Sequence, residues 1–307
     1  MTAGRVLALR ALGLGDLLTA LPALRGLRAH LPRHRLVLAA PGWLEPVASL
    51  SGAVEGVLPT APLGRIPGWP PDLAVNLHGR GPQSTDTLRA LRPGALCAYG
   101  EPGAPGWDDD EHEVRRWCRL LAAYGVSCDP LALDLPAPAE APLAGGLTIV
   151  HPGGAAPARR WPPSRWSAVT EALTDAGHDV VVTGGDTETT LARAVAAGAG
   201  LCPNAVLAGR LDLLGLCAVV ACARLVLCCD TGVGHLATAY RTPSVVLFGP
   251  VPPSRWGPPP KRRQHVALWS GTTGDPFAAT PDPGLLRLTP QDVLAAAAVP
   301  SSAPSSA

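Results

Sequence analysis

The stretch with the most chemical promise is Asp230-Thr231-Gly232-Val233-Gly234-His235, which follows the apolar run Leu225–Cys229 and opens a short helical pattern ending near Tyr240. A buried strand that turns into a helix through two glycines lets the backbone approach a ligand closely. The helix start offers free N–H groups and partial positive charge at the same spot. Thr231 and His235 can add donors, the histidine whether neutral or charged. The environment suits a diphosphate. A purely structural strand–turn–helix would have no need of Asp, Thr and His together.

Two further segments have chemical potential. In His151-Pro152-Gly153-Gly154, followed by Arg159-Arg160-Trp161-Pro162-Pro163, a strand runs into a Gly-rich loop and then paired arginines. Loop amides can face an anion and guanidinium groups can clamp phosphate oxygens, although solvated arginines on a surface loop would read the same way. Gly13-Leu14-Gly15-Asp16 lies between a strand and a helix, but Leu18 stands where a dinucleotide fingerprint needs its third glycine. No acidic residue closes the second strand, so a nicotinamide site is disfavoured. Asp16 is then either a carboxylate at the mouth of a parallel sheet or a helix cap. Asp108-Asp109-Asp110 has the D-x-D spacing that can hold a divalent metal, yet it precedes a helical pattern over 111–124. It reads more simply as a cap with favourable negative charge, and no metal is assigned.

The elements that must position these residues alternate. Arg5–Arg10, Arg35–Ala40 and Asp72–Leu77 are strand patterns, and Leu17, Leu21, Leu24, Leu27 and Leu31 form a helical stripe that Pro22 should kink or restart. The Pro/Ala-rich stretch Asp134–Gly146 is the best linker. After it the rhythm resumes: strand 147–150, a helix from a Ser164 cap to Ala176, strand 179–183, a helix capped by Asp212 and running to Ala223, then strands 225–229 and 244–248. A last helix spans 289–299 with Thr289 as cap, and 300–307 reads as a disordered tail. Strands alternating with helices on both sides of a linker predict two doubly wound α/β domains, 1–140 and 141–299.

Composition sets the frame. The 307 residues suit two domains; 47% are hydrophobic, 16% charged, and the net charge is +1. A disordered chain is excluded, and no global field attracts nucleic acid or an anionic membrane. Lys261–Arg263 is a short basic run, read as a solvated loop. No apolar stretch approaches the roughly 18 residues of a membrane span. Arg5 and Arg10 interrupt the first apolar run, so no signal peptide is expected and the chain is placed in the cytoplasm. Cys217, Cys222, Cys228 and Cys229 sit in apolar segments and read as reduced, buried residues.

Taken in order, residues 5–32, 75–80, 149–166, 180–188 and 229–258 resemble glycosyltransferase family 9, the ADP-heptose:lipopolysaccharide heptosyltransferase group. The resemblance implies a GT-B fold, two Rossmann-like domains facing across a cleft, with acceptor on the N-terminal side and nucleotide sugar on the C-terminal side. It implies metal-independent transfer with inversion, no cofactor beyond the nucleotide-sugar donor, and a glycan or glycolipid acceptor. By the same resemblance Asp16 is the base, and Asp230, Thr231, Gly232, His235 and Arg159 contact the donor diphosphate. Gly15, Gly153, Glu188 and His78 are further candidate contacts, with His112 on the acceptor side. One departure stands out: the family often has lysine where this chain has Arg159, which keeps the charge but cannot shed a proton. The competing readings are a GT-B-like nucleotide-sugar epimerase, which needs no acceptor, and a non-catalytic nucleotide-binding module; a dehydrogenase comes last.

Overall fold

A computed structural model describes residues 4–66, 68, 70–139 and 145–298, and the chain divides into two compact units, Met1–Pro136 and Ala137–Ala307. The expected tail at 300–307 and part of the linker lie outside the described residues.

The first unit runs β1 (Arg5–Leu9), α1 (Leu14–His30), β2 (Arg35–Ala40), α2 (Glu45–Leu50), β3 (Gly56–Pro59), β4 (Leu73–Asn76), α3 (Gln83–Arg89), β5 (Ala95–Cys97) and α4 (Glu113–Ala123). Its sheet has the order β3-β2-β1-β4-β5 and every pairing is parallel. Parallel sheets are covered on both faces, which is why Val6, Leu7, Ala8 and Leu9 are apolar without alternation and all fully buried. Helix α1 buries Leu17, Leu18, Leu21, Leu24 and Leu27 and packs against α4.

The second unit runs β6 (Thr148–His151), α5 (Pro163–Asp175), β7 (Val180–Val182), α6 (Thr189–Gly198), α7 (Leu213–Ala221), β8 (Leu225–Cys229), α8 (Gly232–Ala239), β9 (Ser244–Phe248), α9 (Pro253–Trp256), β10 (His265–Trp269) and α10 (Pro290–Ala297). Its sheet, also parallel, has the order β10-β9-β8-β6-β7. Trp161 and Trp166 meet edge to face at 5.1 Å and anchor its core with Val182, Leu227 and Leu247. The doubly wound α/β expectation therefore holds for both units, with different strand orders.

These orders decide where ligands can go. In the first unit the winding reverses between β1 and β4, and in the second between β6 and β8. At such a reversal the loops leaving the two adjacent strands turn opposite ways and leave a crevice at the strands' C-terminal ends. The loops after β1, β6 and β8 carry the Gly-Asp, His-Pro-Gly-Gly and Asp-Thr-Gly segments.

Several local expectations need correction. Of the kink or restart expected at Pro22, the restart does not occur: α1 is one element from Leu14 to His30, and the buried leucines on either side outweigh one missing hydrogen bond. Helix α4 starts at Glu113, and its cap is His112, whose Nδ1 accepts from the Val114 amide at 3.3 Å. The aspartate triplet forms its own turn instead, Asp108 Oδ1 accepting from the Asp110 amide at 2.9 Å. Ser164 is not a cap: Pro163, pre-set to a helical φ, takes the first position of α5. Asp212 does cap α7, which ends at Ala221, leaving Cys222 exposed rather than buried. Arg262 donates to the Thr238 carbonyl at 2.7 Å, so the basic run is partly tied down. Among the described residues no helix is long and apolar enough to cross a membrane.

Candidate active site

In the first unit Arg10 is the residue that sequence reading missed. It follows β1 directly and is 1% exposed. A guanidinium cannot be neutralised, so burial obliges it to find partners for its donors. Its Nη1 donates to the Leu77 carbonyl at 2.5 Å and its Nε to the Asp16 carbonyl at 3.0 Å. Its Nη2 reaches Asp16 Oδ1 at 3.0 Å and Glu113 Oε1 at 2.8 Å. The one legible signal was a charge directly after the four buried apolar residues Val6–Leu9.

Asp16 sits in the first turn of α1, one residue beyond Gly15. Its second oxygen accepts from the Gly13 amide at 3.2 Å, so it back-bonds the helix start from the third helical position while Gly13 holds the cap position. Base and cap are thus compatible: 26% of the Asp16 side chain remains open. His78, just past β4, takes the Ala11 amide on Nδ1 at 3.2 Å, which leaves the ring proton on Nε2. Burial, then the Arg10 charge, push its pKa down against the opposing pull of Asp16, so it is a neutral donor near that carboxylate. Glu113 is raised by burial but held below its ordinary value overall by Arg10, Arg116 and the Trp117 N–H. His112 caps α4, the helix that carries Glu113.

In the second unit the loops after β6 and β8 meet. Arg159, in a single helical turn at Pro157–Arg159, places Nη1 at 3.3 Å from Asp230 Oδ2, at the end of β8. Thr231 caps α8, its hydroxyl accepting from the Val233 amide at 3.3 Å. Gly232 opens the helix, and His235 lies one turn in, edge-on to the Trp256 ring at 6.0 Å. Gly234 has a different task from the one its sequence suggested: a Cβ there would stand 3.3 Å from both Cys228 Sγ and Val246 Cγ2, so it serves helix–sheet packing.

Glu188 closes the other side of the His-Pro-Gly-Gly loop. Its carboxylate accepts from the Gly154 amide at 3.0 Å and the Gly185 amide at 2.9 Å. It packs so tightly over Gly153 that any Cβ there would overlap it, which explains the glycine. His151 is buried and bonded to Thr183 Oγ1 at 3.0 Å; burial depresses its pKa despite Glu188 nearby. Among the described residues there is no group of three or more His, Cys, Asp or Glu placed to hold a metal ion.

Two doubly wound parallel units, each with polar side chains at its winding reversal, define the GT-B class of α/β proteins. The resemblance to solved structures is of that kind: glycosyl transferase family 9 from Veillonella parvula matches 97% of this chain and 97% of its own with a TM-score of 0.77 at 19% identity. The E. coli ADP-heptose lps heptosyltransferase II matches 95% and 97% with a TM-score of 0.72, also at 19% identity. Residues 107–276 match glycosyltransferase family 9 (heptosyltransferase), and the chain belongs to that family. Lipopolysaccharide heptosyltransferase 1 of Pseudomonas aeruginosa is 32% identical over 187 residues, 59% of this chain and 51% of that protein. The chain thus spans about half the length of that relative.

Proposed function

We propose that the protein is an inverting, metal-independent glycosyltransferase that moves heptose from ADP-heptose onto a glycan or lipid-linked acceptor. The Met1–Pro136 unit would take the acceptor and the Ala137–Ala307 unit the donor. The observation that carries this reading is the clustering of Arg159, Asp230, Thr231 and Gly232 where the second sheet reverses its winding. A guanidinium and the amides of a helix start suit two linked phosphates. A relative of the same fold is described as an ADP-heptose transferase, which supports the choice of donor.

The chemistry would run in one displacement. An acceptor hydroxyl attacks the anomeric carbon as Asp16 accepts its proton. The bond from that carbon to the diphosphate breaks, and its electron pair leaves with ADP. Arg159 and the start of α8 stabilise the charge that grows on the departing phosphate, while Asp16 supplies the general base. Attack from the face opposite the leaving group inverts the anomeric centre. Arg159 acts here only as a cation, since arginine keeps its proton. Gly15 and His78 would border the acceptor, and Gly153 and Glu188 the donor. Action on a lipid-linked acceptor would place the protein in the cytoplasm at the inner face of the membrane.

The test is transfer itself. Purified protein is treated with EDTA and given ADP-heptose and heptose-free lipopolysaccharide core, and ADP release and product mass are followed. Acceptor-dependent ADP release and a product of inverted configuration by NMR are expected. ADP-heptose turnover without acceptor, or an epimerised nucleotide sugar, would overturn the proposal; loss of activity restored by a divalent metal would overturn its metal-independent part.

A further inference from the structure

We propose that Arg10 is a positioning residue for Asp16, and that Glu113 sets how strongly it acts. This inference rests on Asp16 being the base. The geometry is specific. Arg10 holds Asp16 at its side chain and at its backbone carbonyl, 3.0 Å in each case. With the Gly13 amide on the other carboxylate oxygen, both oxygens of Asp16 are fixed in direction. A base fixed in this way presents its remaining lone pairs to a hydroxyl with little loss of freedom.

Glu113 moderates the charge. The same Nη2 that reaches Asp16 also donates to Glu113 Oε1, so the guanidinium is shared between two carboxylates. A cation given wholly to Asp16 would make it a weaker proton acceptor. Glu113 is itself fixed by the Trp117 indole N–H at 2.9 Å and Arg116 Nε at 3.1 Å. Arg116 in turn donates to the Asp108 and Glu111 carbonyls and lies 4.0 Å over the Trp107 ring. The loop from Trp107 to Glu111 is therefore tied to the Asp16 carboxylate through three side chains. Two buried cations face two carboxylates, and removing one member leaves a charge unbalanced.

The experiment compares wild type with Asp16→Asn, Arg10→Lys, Arg10→Met, Glu113→Gln and the Arg10→Lys/Glu113→Gln double variant. For each, kcat, the ADP-heptose KM and the thermal midpoint are measured with heptose-free lipopolysaccharide core as acceptor. Glu113→Gln and Arg10→Met are expected to lose about 10- to 100-fold in kcat, the scale of a base displaced by around 1 Å, with donor KM within about threefold of wild type. Arg10→Lys should recover part of the loss seen in Arg10→Met. The double variant should be little worse than the poorer single one, as for residues acting as a unit. The inference is overturned if Glu113→Gln and Arg10→Lys keep full kcat while Asp16→Asn is inactive. It is equally overturned if every loss of kcat follows only the folded fraction. A fully active Asp16→Asn sinks the base assignment beneath it, a different result from either.

Discussion

Arg159 Nη1 and Asp230 Oδ2 stand 3.3 Å apart, joining the loop after β6 to the end of β8 across the strands where the second sheet reverses its winding. The pair is partly buried, Asp230 more than Arg159, so the carboxylate orients a guanidinium that still has donors to offer. A diphosphate arriving at α8 would meet a cation already aimed.

Arg159→Ala should therefore weaken ADP binding by roughly 10- to 100-fold, the worth of a charge-assisted hydrogen bond of about 1.5–3 kcal/mol. Isothermal titration with ADP checks this. Arg159→Lys should retain most of the affinity, because charge rather than proton transfer is at issue. Unchanged affinity in Arg159→Ala would remove this residue from the donor site.

Asp16→Asn should lower kcat by about 10²–10⁴ while ADP still stabilises the variant as it does the wild type. A ligand at 100 times its dissociation constant adds about 2.7 kcal/mol, which a thermal-shift assay resolves easily. The amide also confronts Arg10 with a neutral partner, so a modest loss of stability should accompany the loss of rate.

Gly153→Ala should destabilise the fold by about 1–3 kcal/mol, since the new methyl would overlap the Glu188 carboxylate. The displaced carboxylate would also give up its bonds to the Gly154 and Gly185 amides. Chemical denaturation measures the cost. In a Glu188→Ala background the same substitution should cost much less, because the obstacle is gone.

Acid should weaken the protein through His265. Burial, then the nearby Arg262, depress its pKa from 6.5 to about 4. The unfolded chain therefore binds this proton at a higher pH than the folded one, and stability is full above about 6.5 and falls as pH drops toward 4. The loss amounts to roughly 3 kcal/mol at most. Urea midpoints measured from pH 7 to pH 4 test it, and His265→Leu should flatten the curve over that window.

Much of this protein was readable in the linear chain because the signals are local. A buried parallel strand must be apolar on both faces, and an amphipathic helix must repeat its leucines every three or four residues. Such rules disclosed Leu225–Cys229 and the stripe of α1, and they tied Asp-Thr-Gly to a strand's end. Where local rules competed, the reading slipped. His112 took the cap expected of the aspartate triplet, and Pro22 did not restart its helix because the packing around it outweighed one lost bond.

The sequence by itself determined the strongly patterned strands and helices, the glycine turns and the types of side chain that end those strands, while short elements such as β3, β5 and β10 left no clear local signal. Only the tertiary structure decided which strand ends lie side by side. Strand order is a long-range property: β1 pairs with β4 and β6 with β8 through segments dozens of residues apart, and no local pattern encodes that choice. It is this pairing that brings His78 to Arg10 and Asp16, and Arg159 to Asp230. Burial completes the selection, because a guanidinium taken out of water must gather carboxylates and carbonyls around it, and Arg10 gathers Asp16, Glu113 and Leu77.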